Sequence, residues 1–172
     1  MEAGLVTDAI VAASEGQAEA LWQVREDQAE VQREAGHGIK HDISVPVSRI
    51  PEFLARADAA MEAAYPGHQI CTFGHVGDGN LHYNPIEPPG WEAERWIAET
   101  ERVNRIVHDL VAELGGSITA EHGVGRLKRG LLEIQYGPEG VAALRRVKDF
   151  FDPHRLLNPG VMFPAADRGS GT

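Results

Sequence analysis

The residues of this sequence best suited to chemistry are two histidines on either side of a Gly-Asp-Gly-Asn turn. His75 and His82 lie in the stretch FGHVGDGNLHYN. Asp78-Gly79 is a strong signal for a two-residue hairpin loop, which would set His75 directly opposite His82. Opposed residues of a hairpin share a face, with Cβ atoms about 4.5–5.5 Å apart. A glycine bulge in a continuous strand would also turn both histidines to one side, so either arrangement predicts two imidazoles able to share a metal ion.

A third metal ligand is predicted in the segment TAEHGVGR, residues 119–126. Catalytic zinc sites commonly have three protein ligands and one open position. Glu121 precedes two glycines in a loop that can aim its carboxylate at the histidine pair, so it is the best candidate. Its neighbour His122 would lie beside the metal without binding it, where an imidazole can act as a general base. The alternative is that these histidines are ordinary core or surface residues beside a common turn.

The same hairpin register predicts a sheet with two unlike faces. Phe73 and Asn84 fall on the face of the two histidines, whereas Leu81 and Tyr83 fall on the other. One face is therefore mostly polar and the other mostly apolar, as expected for a sheet that is buried on one side only.

The elements that must position these residues alternate along the chain. Leu21, Val24 and Val31 form the apolar stripe of the first helix, and Ser48 is a candidate N-cap for the second. Together the patterns predict an α+β fold, in which an antiparallel sheet with ferredoxin-like elements is covered by helices on one face. Strands are predicted over residues 1–13, 39–47, 69–73 and 117–119, and helices over residues 15–34, 48–65, 91–114, 126–135 and 138–150.

Composition narrows the class of protein. The 172 residues suit one domain, and the net charge of −10 argues against nucleic-acid binding, which normally needs a basic patch. No apolar run approaches the roughly 18 residues of a membrane-spanning helix. A single cysteine, Cys71, rules out an internal disulfide and favours a reducing compartment. We expect a cytoplasmic protein, either free or attached to the periphery of the inner membrane.

Three segments, in this order, resemble the C-terminal half of the FAD-linked 2-hydroxy-acid dehydrogenases: GHVGDGNLHYN, SITAEHGVGRLKRGLL and FFDPHRLLNPG. That group includes D-lactate dehydrogenases, glycolate oxidase subunits and D-2-hydroxyglutarate dehydrogenases, all flavoenzymes of the vanillyl-alcohol-oxidase type. The resemblance runs from about Leu21 to Phe163. Three ordered motifs at fitting separations are far more specific than one glycine-rich match. The resemblance implies the cap, or substrate, domain of such a flavoenzyme.

The resemblance also implies roles for the residues already singled out. His75, His82 and Glu121 would bind a divalent metal, commonly zinc, facing the flavin. His122 would be the base that removes the substrate hydroxyl proton while a hydride passes to the flavin. A 2-hydroxy acid suits such a metal, because its carboxylate and hydroxyl can both chelate the ion.

Substrate and flavin contacts are implied by the same resemblance. Arg25 and Lys40 match basic residues that hold the substrate carboxylate, and Asn84 matches a residue beside the metal that contacts substrate. Asn158 matches a flavin-side position. Arg25 has an alternative interpretation as a helix-face arginine paired with Glu26 or Glu30. Val161 stands where the family often has a lysine, so the resemblance does not carry a flavin-side contact over to that position.

The family's FAD-binding domain lies N-terminal to the matched region, and this sequence contains no glycine-rich phosphate loop that would supply it. Residues 1–163 are therefore expected to be the FAD-linked oxidase C-terminal domain without its first elements, followed by a disordered tail at 164–172. Such a chain would be a truncated gene product, a separately encoded half or an expressed fragment. Its partners would be a small 2-hydroxy acid and an FAD-binding domain or subunit, with a homo-oligomer left open.

Three functions remain open at the level of sequence. The leading one is the metal-bearing catalytic half of an FAD-dependent dehydrogenase that oxidises a D-2-hydroxy acid of the lactate, glycolate or 2-hydroxyglutarate class. The second is a stand-alone metal- or ligand-binding module with no redox activity. The third is a zinc hydrolase in which His122 activates water. An upstream reading frame that encodes a flavin-binding half would favour the first.

Overall fold

A computed structural model describes residues 7–164 of the chain. Within that range the α-helices are α1 (Glu15–Glu26), α2 (Gln28–Ala35), α3 (Ile50–Ala64), α4 (Ala93–Ala98), α5 (Thr100–Glu113) and α6 (Leu132–Phe151). The strands are β1 (Ile43–Ser44), β2 (Gln69–Phe73) and β3 (Asn80–Ile86). Single turns of 3₁₀-helix occupy Val47–Arg49, Val76–Asp78 and Arg129–Leu131.

The three strands form one antiparallel sheet with β3 in the centre and the order β1-β3-β2. Ile43 lies opposite Leu81 on one side of β3, and Phe73 lies opposite His82 on the other. A single bridge between Ser44 and Ser117 extends the β1 edge. The α+β class with an antiparallel sheet is confirmed, and the ferredoxin-like arrangement stays a prediction.

The hydrophobic core lies between the sheet and helices α3 and α5. Phe53 and Met61 of α3 recur at helical spacing and are fully buried, as are Val103 and Val107 of α5. The ring of Phe53 meets that of Tyr83 on β3 edge to face, with centroids 5.5 Å apart. Because full burial of one such side chain stabilises a fold by about 1.5–3 kcal/mol, these residues fix the sheet against its helices. The prediction that Leu81 and Tyr83 face the core is confirmed.

The first predicted helix, 15–34, is divided at Asp27 into α1 and α2. Its predicted apolar stripe exists, but Leu21, Val24 and Val31 are exposed. Periodicity shows that one face of a helix is apolar, yet it does not show that the described chain covers that face.

Several other predicted boundaries were wrong. The strand predicted at 39–47 is reduced to Ile43–Ser44, and that at 117–119 to the single bridge at Ser117. Ser48 caps no helix, because a 3₁₀ turn precedes α3 and Arg49 occupies the cap position. The helix predicted at 91–114 is interrupted at Glu99. Helix α6 joins the last predicted helix to the end of the one before it, with non-helical backbone at Gly137 where they meet.

Much of the structure predicted for the two ends of the chain lies outside the described residues. Residues 7–12 do not form the predicted strand, and residues 1–6 lie outside the described residues. The predicted disordered tail at 164–172 also falls outside them, apart from Pro164. Among the described residues, no helix is both long and apolar enough to cross a membrane.

Candidate metal and substrate site

The connection between β2 and β3 is longer than the predicted two-residue loop. It runs over residues 74–79 and contains the 3₁₀ turn Val76–Asp78, so His82 lies opposite Phe73 and not opposite His75. The two-residue loop and the bulged continuous strand were therefore both wrong. The backbone carbonyl of His75 instead accepts hydrogen bonds from the N–H groups of Asp78 and Asn80, each at 3.2 Å.

Gly79 closes this connection in the left-handed region, with φ of 81°. A side chain there would overlap the carbonyl oxygen of Val45. The close approach is held by a hydrogen bond of 3.1 Å from the N–H of Val45 to the carbonyl of Gly79. Glycine is required here by backbone conformation and by lack of room.

Despite the different register, the structure brings the three predicted ligands together. Nδ1 of His75 lies 2.7 Å from Oε1 of Glu121, and Nε2 of His82 lies 3.3 Å from Oε2 of the same carboxylate. The His82 side chain is largely buried at 14% exposure, whereas that of His75 is more than half exposed. Glu121 therefore stands between the two imidazoles, each carboxylate oxygen facing one ring nitrogen.

Among the described residues, the group whose ligand atoms could share one metal ion overlaps the predicted set but does not include His75. One ligand atom from each of Asp42, His82, Glu121 and His122 lies within 4.8 Å of the others. Imidazole nitrogen and carboxylate oxygen are the donors that zinc and related divalent ions take in proteins, so the residues present fit such an ion. Asp42 is the member that the sequence analysis missed. The signal available in the sequence was an acidic residue inside the predicted strand 39–47, which does not by itself indicate a site.

A cavity of about 580 Å³ opens beside this cluster, within the usual range for small-molecule sites. Phe73, His82 and Asn84 on the sheet line one part of it, and His122 and Arg126 from the following loop line another. The rings of His82 and His122 are 5.6 Å apart between centroids. Of the three predicted metal ligands His82 lines the cavity, together with the predicted base His122.

The predicted carboxylate-binding residues lie at or near this cavity. Lys40 lines it directly. The guanidinium carbon of Arg25 lies 5.2 Å from the ring centroid of Phe73, itself a lining residue. Glu30, one of the alternative partners of Arg25, forms an ion pair with Arg33 instead.

Asn84 lines the cavity but also holds the framework together. Its Oδ1 accepts a hydrogen bond of 2.9 Å from the backbone N–H of His41, and its Nδ2 donates one of 3.0 Å to Oε1 of Gln32 on α2. Asn84 therefore ties α2 and the approach to β1 onto the central strand.

Asn158 is not brought to this site. It lines a separate cavity of about 490 Å³ with the C-terminal part of α6, where Arg145 and Lys148 are also found. Its backbone is left-handed, with φ of 46°. A flavin contact at Asn158 stays a prediction.

Burial is the largest single influence on the pKa values of His41, His108 and Asp42. It lowers the pKa of His41 to about 4 and that of His108, whose ring lies 5.4 Å from the His41 ring, to about 3. Burial would raise the pKa of the Asp42 carboxyl, but hydrogen bonds from the backbone of His122 and Glu121 hold it below its usual value. Both histidines are therefore neutral near pH 7, and Asp42 is ionised.

Comparison with known proteins places these motifs in a family. Residues 1–162 match the family model described as FAD linked oxidases, C-terminal domain. The chain belongs to this family. The resemblance carried by the three sequence motifs is thereby confirmed.

Two relatives illustrate how much of a longer protein the chain represents. It is 38% identical over 168 residues to a protein of Xanthomonas citri pv. viticola named D-2-hydroxyglutarate dehydrogenase, and 40% identical over 167 residues to a protein of that name from Stutzerimonas stutzeri. These alignments cover 97% and 96% of this chain but 35% of each relative. The chain thus spans about a third of the length of these curated relatives.

A third relative carries a different name. The glycolate oxidase subunit GlcD of Bacillus subtilis is 42% identical over 128 residues, which cover 73% of this chain and 26% of the relative. Relatives with both names therefore align with most of this chain.

Proposed function

We propose that this chain is the metal- and substrate-binding part of an FAD-linked dehydrogenase that oxidises a D-2-hydroxy acid to the 2-oxo acid. The observation that carries the proposal is the Glu121 carboxylate within reach of both His75 and His82, with His122 beside it at the cavity. The names of the relatives, which refer to 2-hydroxyglutarate and glycolate, support a substrate of the 2-hydroxy-acid class.

In this proposal His75, His82 and Glu121 hold a divalent metal, for which zinc is the first choice by donor type. The chemistry supplied by a bound divalent ion is Lewis acidity toward the hydroxyl and carboxylate oxygens of the substrate. Lys40 and Arg25 bind the substrate carboxylate, since both cations lie at or next to the cavity wall. Asn84 borders the same space and contacts the bound substrate.

His122 is proposed as the acceptor of the hydroxyl proton. Its side chain is about two-thirds exposed and lines the cavity, so a substrate can reach it. Its Nδ1 lies 3.7 Å from Oδ2 of Asp42, which leaves Nε2 as the atom suited to take the proton. The hydride acceptor is FAD, held by a flavin-binding domain or subunit that acts with this chain, in the cytoplasm or at the periphery of the inner membrane.

Zinc titration of the 172-residue chain tests the metal part of this proposal. The wild type is expected to bind about one equivalent, and His82→Ala is expected to lose that binding because it removes the most buried of the three ligands. Calorimetry gives both the stoichiometry and the affinity.

His37→Ala is the matched control. His37 is also paired with a glutamate, Glu87, at 3.3 Å, but it does not belong to the cluster. Its zinc binding should equal that of the wild type. A wild-type chain that binds no zinc, or a His82→Ala variant that binds it equally well, would contradict the metal assignment.

A further inference from the structure

Asp42 is the one carboxylate of the site whose contacts are almost all to backbone. The residue is buried, at 3% exposure, just before β1. Its side chain accepts hydrogen bonds from three successive N–H groups of the loop after Ser117: Ala120 at 3.2 Å, Glu121 at 3.0 Å and His122 at 2.8 Å. Such charge-assisted bonds to a run of amides fix both the position and the direction of a backbone segment.

These bonds leave the carboxylate little capacity for a metal ion. Oδ2 accepts from all three loop amides, while Oδ1 accepts from Nδ2 of Asn80 at 3.3 Å and from the Glu121 amide at 3.2 Å. An ionised carboxylate offers about four lone-pair directions, and these are taken. A carboxylate oxygen of Asp42 lies within 4.8 Å of the other ligand atoms in the cluster, but the hydrogen bonds of Asp42 hold the backbone of residues 120–122.

The anchored loop has no regular secondary structure of its own. It contains Gly123 and Gly125, both with positive φ, and residues 119–128 form neither helix nor strand. The direction in which the side chains of Glu121 and His122 project is therefore set by the anchor more than by the loop's local hydrogen bonds.

Lys128 secures the other end of the same loop. Its ammonium group donates to the carbonyl of Ile118 at 2.6 Å and to the backbone carbonyl of Asp42 at 3.3 Å. Both ends of the loop thus return to residue 42, through its carboxylate and through its carbonyl.

We propose that Asp42 is a positioning residue, which holds Glu121 and His122 in place through their backbone N–H groups and binds neither metal nor substrate. What the held side chains do rests on the proposed function, whereas the anchoring of the loop does not. Removing a group that orients a ligand typically weakens metal binding about 10–100-fold, and the loss of Asp42 should fall in that range.

Asp42→Asn is the test, because it keeps the size of the side chain but replaces one acceptor oxygen with an NH₂ group that repels the loop amides. Zinc affinity is measured by calorimetry on the full chain, and amide hydrogen exchange is measured by NMR without metal. We expect zinc affinity about 10–100-fold weaker and faster exchange at residues 120–122, with the rest of the fold unchanged.

Asp152→Asn is the matched control. Asp152 is equally buried, at 4% exposure, accepts backbone bonds from Leu156 at 2.8 Å and Leu157 at 2.9 Å, and lines the other cavity. Its substitution should speed exchange at residues 156–157 and leave zinc affinity unchanged.

Cobalt(II) spectra distinguish whether Asp42 anchors the loop or binds the metal itself. At saturating cobalt, Asp42→Asn should keep the wild-type visible bands, since the set of ligands is unchanged; altered bands would mean that Asp42 is itself a ligand and would overturn the inference. Unchanged zinc affinity together with unchanged exchange at residues 120–122 would also overturn it. A wild type without zinc binding would refute the proposed function only, because the exchange result would still decide the anchoring role.

Lys128→Met keeps the inference testable if Asp42→Asn does not fold. It loosens the same loop from its other end and leaves the Asp42 carboxylate intact. Weaker zinc binding with faster exchange at residues 120–122 would support the anchoring of the loop to residue 42, and wild-type behaviour of both would refute it.

Discussion

At the scale of single residues, the sequence predicted which side chains lie close to Glu121 but not the backbone path that brings them there. Glu121 lies within reach of both His75 and His82, and the shared metal role of the three stays a prediction. The route differs, because Asp78-Gly79 suits a two-residue loop and also the end of a 3₁₀ turn. The 3₁₀ turn is favoured over the two-residue loop by Val45, a residue distant in sequence whose backbone N–H donates to the carbonyl of Gly79. Such a long-range contact has no local sequence signal, and neither has the convergence of three loop amides on Asp42.

Gly79→Ala tests that residue-scale account. Alanine must adopt a positive φ and also displace the Val45 carbonyl, so we expect a loss of about 1–3 kcal/mol in the free energy of unfolding. Chemical denaturation measures it.

Gly90→Ala provides the comparison, since Gly90 has nearly the same φ, 79°, but open space around its Cβ position. It should cost only the backbone strain, about 1 kcal/mol. Equal losses for the two variants would show that the approach of Val45 to Gly79 is unimportant.

At the scale of elements, boundaries with strong local sequence signals were predicted correctly, whereas boundaries with weak signals were not. Strand β2 has the predicted bounds of 69–73, and α3 ends one residue before the predicted end, at the Pro66-Gly67 break. Asp27 and Glu99 interrupt predicted helices, although both residues are compatible with helical periodicity. The strand at 39–47 is short because only Ile43 and Ser44 find partners on β3, which alternation of apolar residues cannot show.

Two buried histidines make the packing of α5 against the sheet sensitive to acid. His41 precedes β1 and His108 lies on α5, with pKa values lowered by burial to about 4 and about 3. Below about pH 6.5 the unfolded chain takes up protons on these residues that the folded chain does not. The stability they contribute is therefore complete above about pH 6.5 and is lost as the pH falls toward 4. At pH 5 the loss is about 2 kcal/mol for each histidine.

His108→Gln should accordingly flatten the decline in stability between pH 7.5 and pH 5 by about 2 kcal/mol, measured by urea denaturation at each pH. His37→Gln, at an exposed histidine, should leave the decline unchanged. An equally steep decline in His108→Gln would show that this histidine does not control the acid response.

At the scale of the whole molecule, charge and surface both agree with a substrate- and partner-binding role. The chain carries a net charge of −10, yet Lys40, Arg126 and Lys128 all line the cavity beside the cluster. Positive groups concentrated in one cleft of an acidic protein favour entry of an anionic substrate. Large apolar side chains, including those of Trp22 on α1 and Phe150 on α6, are exposed. Exposed apolar side chains that adjoin one another, as Phe150 and Phe151 do with ring centroids 5.1 Å apart, are typical of interfaces, and the proposed flavin-binding domain or subunit is the partner we expect there.

The most direct test of the central claim is turnover of D-2-hydroxyglutarate and D-lactate by this chain together with the proposed flavin-binding domain, with metal content measured in parallel. His82→Ala should lose both metal and turnover. His122→Ala should keep about one metal per chain, because Glu121 and not His122 is the proposed ligand, and turnover should fall about 10²–10⁴-fold for want of the proton acceptor. A His122→Ala enzyme with full turnover, or one that has lost its metal, would contradict the account.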